Sequence, residues 1–141
     1  MKPALILMSH GFLAQEAFEA TKFITGDFEG VTVISMMMDD GLEGTSLKLE
    51  AALMSIPEAG ALIIADVPGG TPNNAAIKAL ARYDNIRVLS GLNMGMLIEY
   101  ALSSDEDLDE LAESVRDAGL DAVKIFTKPH LEITEGGGFE D

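Results

Sequence analysis

Five apolar residues, Ala61-Leu62-Ile63-Ile64-Ala65, run without a break into Asp66-Val67-Pro68-Gly69-Gly70-Thr71-Pro72 and then into an alanine-rich stretch with helical spacing. This passage restricts the fold more than any other. A short apolar run without polar alternation is a strand covered on both faces. A strand of that kind leading through a glycine turn into a helix is half of a βαβ unit, and such units build parallel sheets. The passage also places a carboxylate at a strand end, beside a helix N-terminus. Such a terminus presents unpaired N–H groups and a partial positive charge to anions.

The rest of the chain repeats the unit. Strands are predicted at residues 4–8, 31–35, 61–65 and 86–90, with a last, antiparallel edge strand at 122–127. Helices are predicted at 12–25, 47–56, 72–82, 94–102 and 106–118. Gly26 suits a helix C-terminus, as does Gly119, while Gly44-Thr45-Ser46 and Ser103-Ser104-Asp105 supply caps for the second and fifth helices. Met36-Met37-Met38, leaving the second strand, reads as gap-filling core, with a flexible contact surface as the alternative. The prediction is a doubly wound α/β domain with a mainly parallel sheet of order 2-1-3-4 and helices on both faces. It spans residues 1–128, with a flexible tail at 129–141 that carries Gly136-Gly137-Gly138.

Composition narrows the function. A net charge of −15, from 24 acidic and 9 basic residues, opposes nucleic-acid binding and attraction to anionic membranes. It suits a basic partner surface. The absence of cysteine removes thiol catalysis, disulfides and zinc–thiolate sites. The first apolar run stops at Ser9-His10-Gly11, too short for a signal-peptide core, and no window approaches the roughly 18 apolar residues of a membrane span. A cytoplasmic location without direct membrane insertion is expected.

In the order 2-1-3-4, strands one and three are neighbours at the point where the winding reverses, and ligands bind there beyond the strands' carboxyl ends. His10 follows strand one and Asp66 ends strand three, so the two should meet. A carboxylate bonded to one ring nitrogen fixes the tautomer and leaves the other nitrogen as a nucleophile. The N–H groups of Gly69, Gly70 and Thr71 are the expected cradle for a phosphoryl group, with the Thr71 hydroxyl either a further donor or the helix N-cap. Ser9, Asn73 and Asn93 are candidate pocket residues; their alternative roles are turn and cap hydrogen bonds. Phosphoryl transfer needs chiefly positioning and charge neutralisation, so the reading calls for no metal and no cofactor.

Three stretches together resemble one family. Met8-Ser9-His10-Gly11 follows strand one. Asp66, Gly69-Gly70-Thr71-Pro72 and Asn74-Ala75 follow strand three. Gly91, Asn93, Met96-Leu97 and Glu99 follow strand four. In this order, at these strand ends, they are similar to the mannose-type (mannose/fructose/sorbose) enzyme IIA component of the bacterial sugar phosphotransferase system. The resemblance implies that His10 is phosphorylated at Nε2, that Asp66 orients it, and that Thr71 stands where the family often has serine. It further implies a carrier that takes phosphate from the phosphocarrier HPr and passes it to a IIB component, with membrane IIC and IID subunits downstream. It also implies a homodimer, in some members with an exchanged last strand. Pro68 departs from an aromatic found in some members. Four other readings remain: a dihydroxyacetone-kinase phosphotransfer subunit, a receiver-like regulatory module phosphorylated on Asp66, a hydrolase using Ser9 or Thr71, and a non-catalytic regulatory IIA-like module.

Overall fold

Four strands, β1 (Ala4–His10), β2 (Val31–Met36), β3 (Ala61–Ala65) and β4 (Ile86–Ser90), form one parallel sheet in the order β2-β1-β3-β4. The structure, a computed structural model, describes residues 1–131; positions 132–141, within the expected tail, lie outside the described residues. Five α-helices connect and flank the strands: α1 (Leu13–Thr25), α2 (Gly41–Leu53), α3 (Thr71–Ala79), α4 (Met94–Leu102) and α5 (Leu108–Asp121).

Alternate side chains of the central strands enter two separate cores, as strand geometry requires. Ile6, Met8 and Ile63 pack with Leu49 and Leu53 of α2 and with Ala75, Ala76 and Ala79 of α3. Leu5, Leu7, Leu62 and Ile64 pack with Ala14 of α1, Met96, Leu97 and Tyr100 of α4, and Leu111 and Val115 of α5. Every residue of β3 is buried, which is why its sequence shows no polar alternation. Each large side chain so covered contributes roughly 1.5–3 kcal/mol relative to exposure.

The helix ends depart from expectation in several places. Helix α2 begins at Gly41, six residues early, so Gly44, Thr45 and Ser46 lie inside it. The Thr45 hydroxyl donates back to Gly41 O at 2.7 Å instead of capping. Helix α5 starts later, with the Asp107 carboxylate accepting from Glu110 N–H. It then runs through Gly119 to Asp121. Gly119 is there for space: a Cβ on it would lie 2.7 Å from Met96 Cγ, so the glycine lets α4 and α5 approach.

The expected fifth strand is absent: residues 123–127 are neither strand nor helix, and a 3-10 turn, Lys128–Leu131, follows. Val123, Ile125 and Phe126 are 77, 85 and 72% exposed. The segment has strand-forming residues, but the sheet among the described residues is the four-stranded one and does not include it. The core reading of the methionines is also corrected. Met38 is 98% exposed and Met37 40%, because the chain leaves the sheet after Met36 in a turn closed by Asp40 N–H to Met37 O and by Asp40 Oδ2 accepting from Met37 N–H.

Candidate functional site

β1 extends two residues further than its apolar run, to His10, whose register partner is Met36 of β2. On the other side β3 stops at Ala65, paired with Met8. The end of β1 therefore projects past β3, and the His10 N–H has no β3 carbonyl opposite it. Asp66 takes that place. Its Oδ2 accepts from His10 N–H at 2.8 Å and lies 2.8 Å from the ring Nδ1, while Oδ1 accepts from Val67 N–H at 2.9 Å.

The pair is asymmetric. The Asp66 side chain is 7% exposed and that of His10 50%. Burial alone pushes the Asp66 carboxyl up, but the bonds from the His10 ring and N–H, with that from Val67, outweigh it and hold the group below the ordinary carboxylate range. An ionised Asp66 accepts from a proton on Nδ1, and in the neutral ring this leaves the lone pair on Nε2.

The N-terminus of helix α3 lies beside this ring: a Cβ on Gly70 would fall 2.9 Å from His10 Cε1. Its N-cap is Gly70, in extended conformation, and Thr71 is its first residue. Thr71 is therefore not the cap, and its N–H precedes the first helical bond, Asn74 N–H to Gly70 O at 2.9 Å. The expected cradle loses one member: Gly70 N–H is engaged in a turn with Val67 O at 3.2 Å. Gly69 makes the turn possible with φ +84°, and Asn74 Nδ2 holds it by donating to Gly69 O at 3.2 Å.

Three candidate pocket residues have other work. Ser9 is fully buried; its hydroxyl accepts from Ala14 N–H at 2.8 Å and donates to Gly11 O, shaping the loop that carries His10 into α1. Asn73 accepts from Ser90 Oγ at 2.8 Å, tying α3 to the end of β4. Asn93 caps α4 by accepting from Met96 N–H, and its Nδ2 donates to Gly119 O at 3.0 Å. What the sequence reading did not single out is the exposed apolar character of the loops after the strands, apart from the contact-surface alternative for the methionines. Phe12, Leu13, Val67 and Met38 are all substantially exposed, and each follows closely on the end of β1, β3 or β2. Apolar residues where loops are normally polar were the available signal.

A cavity of about 610 Å³ lies at the opposite end of the sheet, lined by Lys2, Ala4, Gly30, Ile56 and Tyr100 among others. His10, at the other end, is half exposed. Among the described residues no cluster of His, Asp and Glu is arranged to hold a metal ion, and no helix is long and apolar enough to cross a membrane.

The family described as PTS system fructose IIA component matches residues 4–116. The chain is 28% identical over 135 residues to the PTS system mannose-specific EIIAB component of Escherichia coli K12, covering 94% of this chain and 42% of that protein. It thus spans about two fifths of that relative. Among solved structures, the mannose/sorbose specific IIA subunit of the phosphotransferase system from Enterococcus faecalis is similar at 44% identity and a TM-score of 0.84, over 94% of this chain and 100% of that one. The EIIA component from Streptococcus agalactiae is 26% identical with a TM-score of 0.80, over 86% and 95% of the two chains.

Proposed function

The chain belongs to the mannose/fructose/sorbose family of phosphotransferase-system IIA components, and from that premise we propose that it is a phosphohistidine carrier working through His10. The observation that carries the reading is the double use of Asp66 Oδ2, 2.8 Å from both the ring Nδ1 and the backbone N–H of the same histidine. It fixes the ring and its tautomer together.

The Nε2 lone pair attacks the phosphorus of phospho-HPr. The N–P bond forms as the donor's bond to phosphorus breaks, and the donor group leaves with the electron pair. The resulting phosphoimidazolium keeps its proton on Nδ1, and Asp66 neutralises it. The phosphoryl oxygens face the N-terminus of α3, where the Thr71 N–H and hydroxyl donate. Those donors and the carboxylate–imidazolium pair compensate the shifting charge without a metal. The reverse sequence hands the group to a IIB component, and from there to sugar entering through membrane IIC and IID subunits. The exposed apolar side chains around His10 and the net charge of −15 fit docking by protein partners with basic rims. A homodimer belongs to the same reading, with Val123 and Ile125 as the apolar residues a second subunit covers.

Two rivals are disfavoured by specific contacts. Asp66 is a poor phosphoacceptor because both its oxygens are engaged and it is nearly buried. Ser9 is a poor hydrolytic nucleophile because its hydroxyl is buried against Ala14 N–H. The test is phosphorylation by HPr and its kinase. Wild type is expected to gain acid-labile phosphate and His10→Ala none; labelling that persists in His10→Ala overturns the assignment.

A further inference from the structure

Gly69 and Gly70 are adjacent, yet the structure requires glycine at the two positions for different reasons. Gly69 has φ +84°, a conformation L side chains rarely adopt, and a Cβ there would meet nothing within 4 Å. Gly70 is the reverse. Its φ of −77° and ψ of 163° are open to any residue. Its N–H is committed to Val67 O, so it is not a free anion donor. A Cβ on Gly70, however, would fall 2.9 Å from His10 Cε1 and 3.0 Å from Val67 Cγ1.

Ordinary contact begins at 3.4 Å, so the imidazole would have to give by about half an ångström and Val67 by nearly as much. Cε1 is the ring carbon between Nδ1 and Nε2. Its displacement moves both the bond to Asp66 and the nucleophilic lone pair. Asp66 fixes the ring at one edge through a 2.8 Å contact, and the Gly70 backbone bounds it at the next atom.

We propose that Gly70 is a positioning residue: its missing side chain lets His10 lie flush against the entrance to α3 while hydrogen-bonded to Asp66, which sets the Nδ1–H tautomer and aims Nε2. The inference rests on the phosphocarrier reading for its purpose, but its structural content is tested without any phosphoryl transfer.

The experiment is ¹⁵N NMR of the His10 imidazole as a function of pH in wild type, Gly70→Ala, and Gly70→Ala combined with Val67→Ala. Wild type is expected to show Nδ1–H with an unprotonated Nε2. Gly70→Ala is expected to shift the neutral ring toward the Nε2–H tautomer and to accept phosphate from phospho-HPr at least tenfold more slowly. Removing Val67 Cγ1 opens the other wall, so the double variant should recover much of the Nδ1–H population. Thermal melts separate this from unfolding, and if Gly70→Ala alone does not fold, the double variant against Val67→Ala gives the same comparison. Wild-type tautomer retained in Gly70→Ala overturns the proposal, as does a double variant no different from Gly70→Ala. Failure of wild type to accept phosphate would instead count against the carrier reading.

Discussion

Asp66→Asn is the most informative single change, because it preserves shape while removing a charge that three N–H groups share. The Asp66 oxygens take donors from His10 Nδ1, His10 N–H and Val67 N–H at 2.8, 2.8 and 2.9 Å. An amide offers one oxygen. If that oxygen faces His10, the NH₂ group confronts Val67 N–H. If it faces Val67, the NH₂ group confronts the His10 N–H and donates to the ring, favouring the wrong tautomer. Either orientation leaves at least one donor unmet, at about 1–3 kcal/mol. The chemical step loses more. A carboxylate about 4 Å from a developing ring charge is worth about 4 kcal/mol at an effective dielectric of about 20; we halve this to about 2 because the ring is half exposed. Replacing a charge-assisted hydrogen bond by a neutral one adds about 1 kcal/mol. The total of about 3 kcal/mol predicts transfer slower by about a hundredfold. Rapid-quench, single-turnover transfer from phospho-HPr measures it. A rate within about threefold of wild type, in a variant whose melting temperature has fallen, would make Asp66 a strand-end fastener with no part in the chemistry.

Three further outcomes are expected. Thr71→Ala should slow transfer about tenfold and leave the melting temperature nearly unchanged, because Gly70 and not Thr71 caps α3, and Thr71→Ser should restore the rate. Asn93→Ala should cost about 1–2 kcal/mol in urea unfolding by losing the cap on α4 and the bond to Gly119 O, with His10 still phosphorylated at the wild-type rate. The lowered Asp66 pKa gives a signed pH effect: its stabilisation is fully present above the ordinary carboxylate pKa of about 4 and is lost as pH falls through the folded value. The melting temperatures of wild type and Asp66→Asn should therefore converge in acid, as pH falls through the folded Asp66 value.

What the sequence revealed and concealed follows from the range of the forces involved. β3, β4 and α4 were legible to the residue, because burial on both faces and helical periodicity are written locally. The pairing of His10 with Asp66 was legible through topology: two strand ends on neighbouring strands must meet. Gly119 misled because glycine after a helical run signals a stop, whereas here it is set by Met96 on another helix. Residues 122–127 misled because alternating apolar residues describe a strand only when an edge receives them. Thr71 and Gly70 exchanged roles because which residue is the cap depends on a single backbone conformation. Neither the commitment of Gly70 N–H to Val67 O nor the closeness of Gly70 to the ring has any signature in the order of residues.

The overhang of β1 past β3 carries a kinetic consequence. The separation of His10 from Asp66 is set by the spacing of two neighbouring strands in the middle of the sheet, rooted in side chains such as Leu7, Met8 and Ile64 that are wholly buried. No hinge or lid has to close to assemble the pair. If the chain is the carrier proposed above, it runs the same reaction forwards and then backwards, and any rearrangement needed to load it would be an obstacle again on unloading. On the proposed carrier function, a site with the stiffness of the sheet needs no rearrangement of the His10–Asp66 pair either to be loaded by one partner or to be unloaded by the next.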